Sequence, residues 1–274
     1  MRRISKKKDL VMKPFLASTG LLFAVCALAL AQDTTGDRIV VPARSTSHPR
    51  VVNCSLLNGS ITVKTASGAD VIVESGSPRA ARSGPDGMKR IGMPNRGLEV
   101  VEEDNVITIR KRAGNGNLVI SVPVDTSLRL RSLAGPINVD GVHGEVDVHT
   151  LNGHVTLTNI SGTVTADSQN GPIKVTMDRV EAGKPLAFST LNGMVDVTLP
   201  ADLKANLTVK SNRGAVYSDF DVTLGARAVT EKNGSSDGTF RIRIDNTIRG
   251  AINGGGVDLT IHTFNGPVYI RKKK

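Results

Sequence analysis

The sequence is poor in cysteine: two occur in 274 residues, Cys26 and Cys54, which excludes a small disulfide-stapled scaffold. Long apolar runs are equally scarce. Only residues 15–31 (FLASTGLLFAVCALALA) form a long apolar run unbroken by charge, whereas a multi-span membrane protein needs several runs of about 20 residues. Tryptophan is absent, and two Tyr and six Phe bring the aromatics to 3%. The 39% of apolar residues is therefore mostly Val, Ile, Leu and Ala, too much β-branched material for a disordered chain. No segment sustains apolar spacings of three and four, so no helix is expected outside the apolar run near the N-terminus. Several catalytic signatures are missing too: there is no H-E-x-x-H, no G-x-S-x-G, no P-loop and no G-x-G-x-x-G after a strand.

The N-terminus has the three parts of a secretory signal peptide. Residues 1–14 carry six Lys/Arg and one Asp, residues 15–31 are apolar, and Ala29-Leu30-Ala31 supplies small residues at a cleavage site. Cleavage after Ala31 takes the net charge from +10 to +5, because six cations and one carboxylate leave with the peptide. That excess makes no case for nucleic acid binding. The exported chain keeps only Cys54, so no internal disulfide can form. The setting Val-Val-Asn-Cys-Ser-Leu reads as a strand, with the thiol buried as a small apolar group.

What the chain does have is a repeat. Gly135, Gly144, Gly153, Gly162 and Gly171 are nine residues apart, and the units they mark run LAGPINVDG, VHGEVDVHT, LNGHVTLTN, ISGTVTADS and QNGPIKVTM. Further copies stand at 57–65 (LNGSITVKT), 191–199 (LNGMVDVTL) and 264–272 (FNGPVYIRK), with a weaker one at 212–220. Within each unit an apolar-x-apolar pair alternates as a half-buried strand does, so Val155 and Leu157 should face inward and Thr156 outward. The Gly, often preceded by Asn, is expected to turn the chain through a positive φ. Asn-Gly corners at 152–153, 170–171 and 192–193 alternate with His143-Gly144 and Ser161-Gly162, which doubles the period. Two unlike corners per repeat suit the rung of a β-solenoid better than a meander. The fold class expected is therefore all-β, a repeat β-solenoid of the β-helix or β-roll kind, with a β-sandwich as the alternative. A narrow interior of Val, Ile, Leu and Ala also fits the scarcity of rings.

The domain plan that follows is a signal peptide at 1–31, an N-terminal linker at 32–49, a repeat domain at 50–272 and a basic tail at 273–274. Residues 75–97 interrupt the repeat as a Gly/Pro-rich basic insertion. Its cations Arg79, Arg82, Lys89, Arg90 and Arg96 form the candidate partner-binding set, suited to envelope polysaccharide, acidic lipid or another envelope protein. Residues 225–238 read as a second surface excursion. The final Arg271-Lys272-Lys273-Lys274 is expected to keep an exposed end of the stack unpaired.

Candidate chemistry is thin. His143, His149 and His154 sit at different unit positions, without a supporting Cys pair, so no metal site is expected. The nonapeptides lack the Gly-Gly pair and Asp of a calcium-binding β-roll, and Asp140, Asp147, Asp167 and Asp196 occupy scattered unit positions. Asp147 and Asp196 do share a unit position and could lie on one face, the arrangement a carbohydrate-active β-helix enzyme would need.

The signal peptide followed by T-L-N-G-x-V-x-V and S-G-x-V-x-A units resembles the bacterial DUF4097 family of candidate adhesins. The matching segments are Thr150–Leu157, Ser161–Ala166, Thr190–Val197 and Thr263–Ile270, and the resemblance spans about 50–272, best over 127–220. It implies an exported, non-enzymatic envelope protein with a β-helical stack, found in the periplasm, at the cell surface or outside the cell, and it supplies no catalytic residue or cofactor. The function expected is an adhesin-like module presenting a β-repeat surface. The alternatives are the carbohydrate-active enzyme and an envelope-stress sensor.

Overall fold

The computed structural model describes residues 36–44, 49–76, 97–111, 116–225, 229–233, 240–244 and 247–274. They form strands and turns, with no helix among them. In chain order the strands are β1 (Gly36–Val41), β2 (Val51–Asn58), β3 (Ile61–Thr65), β4 (Val71–Gly76), β5 (Leu98–Glu103), β6 (Val106–Lys111), β7 (Asn117–Val122) and β8 (Ser127–Ala134). They continue as β9 (Ile137–Asp140), β10 (His143–Asn152), β11 (Val155–Asn170), β12 (Ile173–Val180), β13 (Leu186–Asn192), β14 (Val195–Leu199), β15 (Ala205–Arg213) and β16 (Val216–Ser218). The last are β17 (Val222–Leu224), β18 (Val229–Asn233), β19 (Phe240–Ile244), β20 (Thr247–Ile252), β21 (Val257–Asn265) and β22 (Val268–Lys272).

Two consecutive nine-residue units make one rung, and parallel rungs stack into a β-solenoid with two strand faces. Face A runs β6, β2, β8, β10, the second half of β11, β13, β21 and β15. Face B runs β7, β3, β9, the first half of β11, β12, β14, β22 and β16. The long strand β11 crosses from one face to the other around Asn159, which takes a left-handed φ of 54°. The register His143↔Ser161 through Asn152↔Asn170 is the doubled period of 18 that the two kinds of corner foretold.

Spatial order departs from chain order at both ends. The rung β2–β3 is inserted between β6–β7 and β8–β9, and β21–β22 lies between β13–β14 and β15–β16. The last repeat in the sequence is thus an interior rung. Its Lys272 pairs with Leu199, and Lys273 N donates to Leu199 O at 2.8 Å, so this segment does not form an exposed end. Antiparallel strands close the stack: β5 on β6, β4 and then β1 on β7, β20 and then β17 on β15. Strand β1 falls inside 32–49, the stretch expected to be linker. Strand β18, within the second excursion, pairs antiparallel with β19 just after it.

The interior is filled by period-2 alternation. Val155 and Leu157 are fully buried while Thr156 is only half-buried. Across rungs, Leu130, Val148, Ala166, Phe188 and Ile261 fall in one register row. The small Ala166 lies beside Phe188, the largest fully buried side chain, which is how a narrow core accommodates one ring.

The Asn-Gly corners stack as well. Asn170 donates to Asn152 Oδ1 at 2.9 Å, Asn192 to Asn170 at 2.8 Å and Asn265 to Asn192 at 2.7 Å, an amide ladder along the edge. The glycines beside it are required by close approach more than by φ. A Cβ on Gly153 would lie 2.1 Å from Gly135 O, one on Gly171 2.1 Å from Gly153 O, and one on Gly193 2.2 Å from Gly171 O. None of these three has φ in the left-handed region, so close approach selects glycine there, whereas Gly59, Gly135, Gly162 and Gly266, at the same unit position, take the expected positive φ of 126°, 129°, 125° and 148°.

Candidate binding groove

Strand parity dictates which side chains leave the core. On β10, Val146, Val148 and Thr150 point inward, so Asp147, His149 and Leu151 point out from face A. The residue before each Asn-Gly corner is therefore outward, although it is apolar in most units. Carried through the register, Leu57, Leu133, Leu151, Gln169, Leu191 and Phe264 form one row across six rungs. The five apolar members are 57, 46, 37, 43 and 37% exposed in chain order, a single file of uncovered hydrophobic side chains.

This row borders a shallow groove of about 920 Å³. Its other bank is the neighbouring outward row, Ser55, Arg131, His149, Asp167, Ser189 and His262. Along the floor, side-chain hydroxyls turn toward the corners: Ser168 donates to Gly153 O at 3.1 Å and Thr190 to Gly171 O at 3.0 Å. Backbone N–H and C=O groups of the floor are used up between rungs. The groove is thus apolar along its length and offers little backbone hydrogen bonding.

Cations stand at both ends of the groove, with Lys210 and Arg213 at the β15 end, where the Arg213 guanidinium lies 5.8 Å over the Phe264 ring, and Arg110 and Arg131 at the β6 end. Arg110 stands opposite Ser55 and two strands from Arg131, and both guanidiniums are exposed. Lys111 lies at the same end but is buried, at 6% exposure, with Nζ donating to Ser75 Oγ at 3.3 Å. Among the described residues none of Arg110, Arg131 and Lys111 is ion-paired with a carboxylate. Farther along, His149 Nε2 meets Asp147 Oδ1 at 2.9 Å.

Other residues singled out by the sequence are not brought together. His143 opens β10, His149 lies on face A and His154 occupies a corner, and among the described residues no three metal-ligating side chains converge. Asp147 is on face A and Asp196 on face B, so the shared unit position does not put them on one face, because successive units alternate between faces. Asp196 is held instead by Arg271, whose Nε donates to Oδ1 at 2.8 Å while its guanidinium lies 5.1 Å over the Tyr269 ring. That hydrogen bond, then the Asp196 charge, raises the Arg271 pKa above its ordinary value. Cys54 is buried in register between Ile109 and Leu130, and burial pushes its pKa up to about 12, so it is no nucleophile at neutral pH. Arg79, Arg82, Lys89, Arg90 and Arg96 lie outside the described residues.

A family model described as Toastrack DUF4097 matches residues 38–247. Among solved structures, a candidate cell adhesion protein from Clostridium sporogenes ATCC 15579 aligns at a TM-score of 0.45 and 9% identity, over 87% of this chain and 100% of its own. A candidate adhesin from Bacteroides fragilis NCTC 9343 aligns at a TM-score of 0.32 and 11% identity, over 88% of this chain and 98% of its own. No curated protein matches the chain.

Proposed function

This chain belongs to the Toastrack DUF4097 family, and on that premise we propose that it is an exported, non-enzymatic, adhesin-like module that binds through the leucine-lined groove of face A. Export rests on the signal peptide of residues 1–31, with the working protein beginning at Gln32 in the periplasm, at the cell surface or outside the cell. The observation that carries the reading is the single file of Leu57, Leu133, Leu151, Leu191 and Phe264, each more than a third exposed. An uncovered apolar stripe, broken here only by Gln169, costs solubility and marks interaction surfaces on soluble folds. The repeat supplies it at little cost, because the same outward position recurs on every rung. The enzyme alternative gains nothing from Asp147 and Asp196, which lie on different faces.

The test compares the exported chain with a Leu133→Asp/Leu151→Asp variant. Both positions are exposed, so the thermal midpoint should stay within a few degrees of wild type. Retention of the purified protein on isolated cell envelopes should be saturable for wild type and lost for the variant. Equal retention of the two would overturn the reading.

A further inference from the structure

We propose that the leucine-bearing edge of face A docks on the surface of an anionic phospholipid bilayer. The leucine file enters the headgroup region, while Arg110 and Arg131 at one end and Lys210 and Arg213 at the other contact lipid phosphates. The inference rests on the groove being the binding surface and adds what that surface meets.

The charges of face A are graded in depth and across the face. Arg110, Arg129, Arg131, Lys210 and Arg213 are exposed, whereas Glu99, Asp147 and Asp167, the carboxylates nearest the file, are half-buried. Glu99 stands opposite Arg110, Asp167 is in register with His149, and Asp147 is one row farther from the file, 2.9 Å from His149. The exposed carboxylates Glu103, Glu145 and Asp258 lie three rows from the file, at the opposite border of the face. The edge that carries the leucines is thus the more positive one. An anionic surface draws that edge in and leaves the acidic border tilted away.

The two cationic ends fit a surface better than a ligand with one head. They are separated by a file that crosses six rungs, about 24 Å at the usual strand spacing. A single headgroup engages one end, whereas a bilayer presents phosphates beneath both. Between the ends the five apolar side chains protrude in a line one residue wide. A fluid hydrocarbon boundary receives such a line without a matching slot, which a folded partner would have to supply. Arg213 over the Phe264 ring joins a cation to an apolar anchor, the pairing that also seats interfacial helices.

The surroundings of the file suit headgroup depth. On one side the Asn ladder of the corner, and on the other Ser55, His149, Ser189 and His262, are polar groups at the level of the lipid heads. The backbone beneath is paired from rung to rung, so the inserted edge carries no unpaired N–H or C=O row into an apolar phase.

The experiment uses the exported chain, whose lack of Trp lets one introduced Trp report its own surroundings. Leu151→Trp places the reporter in the file and Lys174→Trp places it on face B. With vesicles of phosphatidylcholine and phosphatidylglycerol in equal parts, Leu151→Trp emission should shift to the blue and be quenched by brominated acyl chains, and Lys174→Trp emission should do neither. In co-sedimentation, vesicles of phosphatidylcholine alone should bind at least about tenfold more weakly, and about 0.5 M salt should release most of the protein. Each interfacial cation contributes about fivefold, so Arg110→Ser/Arg131→Ser and Lys210→Ser/Arg213→Ser should each weaken binding by about tenfold or more, with the thermal midpoint near wild type. No vesicle binding, equal binding to neutral and anionic vesicles, the same response from both reporters, or loss confined to one pair of cations would overturn the proposal. Envelope retention abolished by protease treatment of the envelopes would point to a protein partner and overturn it as well. If vesicles fail to bind while Leu133→Asp/Leu151→Asp still abolishes envelope retention, the bilayer is wrong and the groove remains the binding surface.

Discussion

Replacing Gly171 by Ala tests the stacking directly, because the usual effect of such a change is reversed here. The added Cβ would sit 2.1 Å from Gly153 O and 2.6 Å from its carbonyl carbon. Relief to an ordinary contact requires the two corners to part by about 1 Å, a small-to-large strain within a close-packed stack. Three bonds span that gap: Gly153 N to Asn170 O at 3.1 Å, Ser168 Oγ to Gly153 O at 3.1 Å, and Asn170 Nδ2 to Asn152 Oδ1 at 2.9 Å. Stretching them past 3.5 Å forfeits about 1 kcal/mol each. Against this, the smaller conformational freedom of Ala in the unfolded chain returns about 0.4–1 kcal/mol. The net expectation is a loss of about 2–3 kcal/mol. Gly76 is the control, since a Cβ there meets nothing within 4 Å and its φ lies outside the left-handed region. Gly76→Ala should be neutral or stabilising by up to about 1 kcal/mol. Urea unfolding followed by circular dichroism reads both. A Gly171→Ala protein as stable as wild type would refute the claim that close approach, and not turn conformation, selects glycine at these corners.

Other consequences are equally accessible. Leu157→Ala should cost about 2–5 kcal/mol, because Leu157 is fully buried, while Thr156→Ala stays within about 0.5 kcal/mol; equal losses in urea unfolding would contradict the register. Cys54 should resist iodoacetamide at pH 8 until the fold is opened by urea. Burial raises its pKa from 9.0 to about 12, so the stability it contributes is fully present below about pH 9 and is lost as pH rises toward 12, where the unfolded thiol is already ionised. Deleting residues 257–274 removes an interior rung and strands β15–β16 from the rest of the stack, so circular dichroism should show far more than one rung's loss; a stable protein lacking only that rung would refute the observed order.

Much of the fold is written in the repeat. The spacing of Val146 and Val148, or Val155 and Leu157, sets the strand faces, and the two unlike corners set the rung. The insertion of β2–β3 and β21–β22 out of chain order is not legible, because similar units carry similar edges and any rung can accept any other. Asp147 and Asp196 mislead for a related reason: a nine-residue alignment superimposes units that an 18-residue rung sends to opposite faces. The leucine file was within reach. Leu151 stands three residues after Val148, and odd spacing from a buried strand residue points outward, but an apolar residue at a regular repeat position reads as core until parity is counted. The place of Arg110 beside the groove depends on β6 lying beside β2, a pairing across 55 residues (Val51↔Val106) that no local pattern encodes.

The most direct test of the groove as the binding surface is methyl NMR of the leucine-labelled exported chain during titration with solubilised envelope lipid. Leu57, Leu133, Leu151 and Leu191 are exposed along the groove, whereas Leu128, Leu130 and Leu157 are fully buried and serve as internal references. Binding through the groove predicts saturable shifts in the four exposed leucines with the three core leucines nearly unmoved. Shifts confined to other surfaces, or none at concentrations where the protein is retained on envelopes, would contradict it.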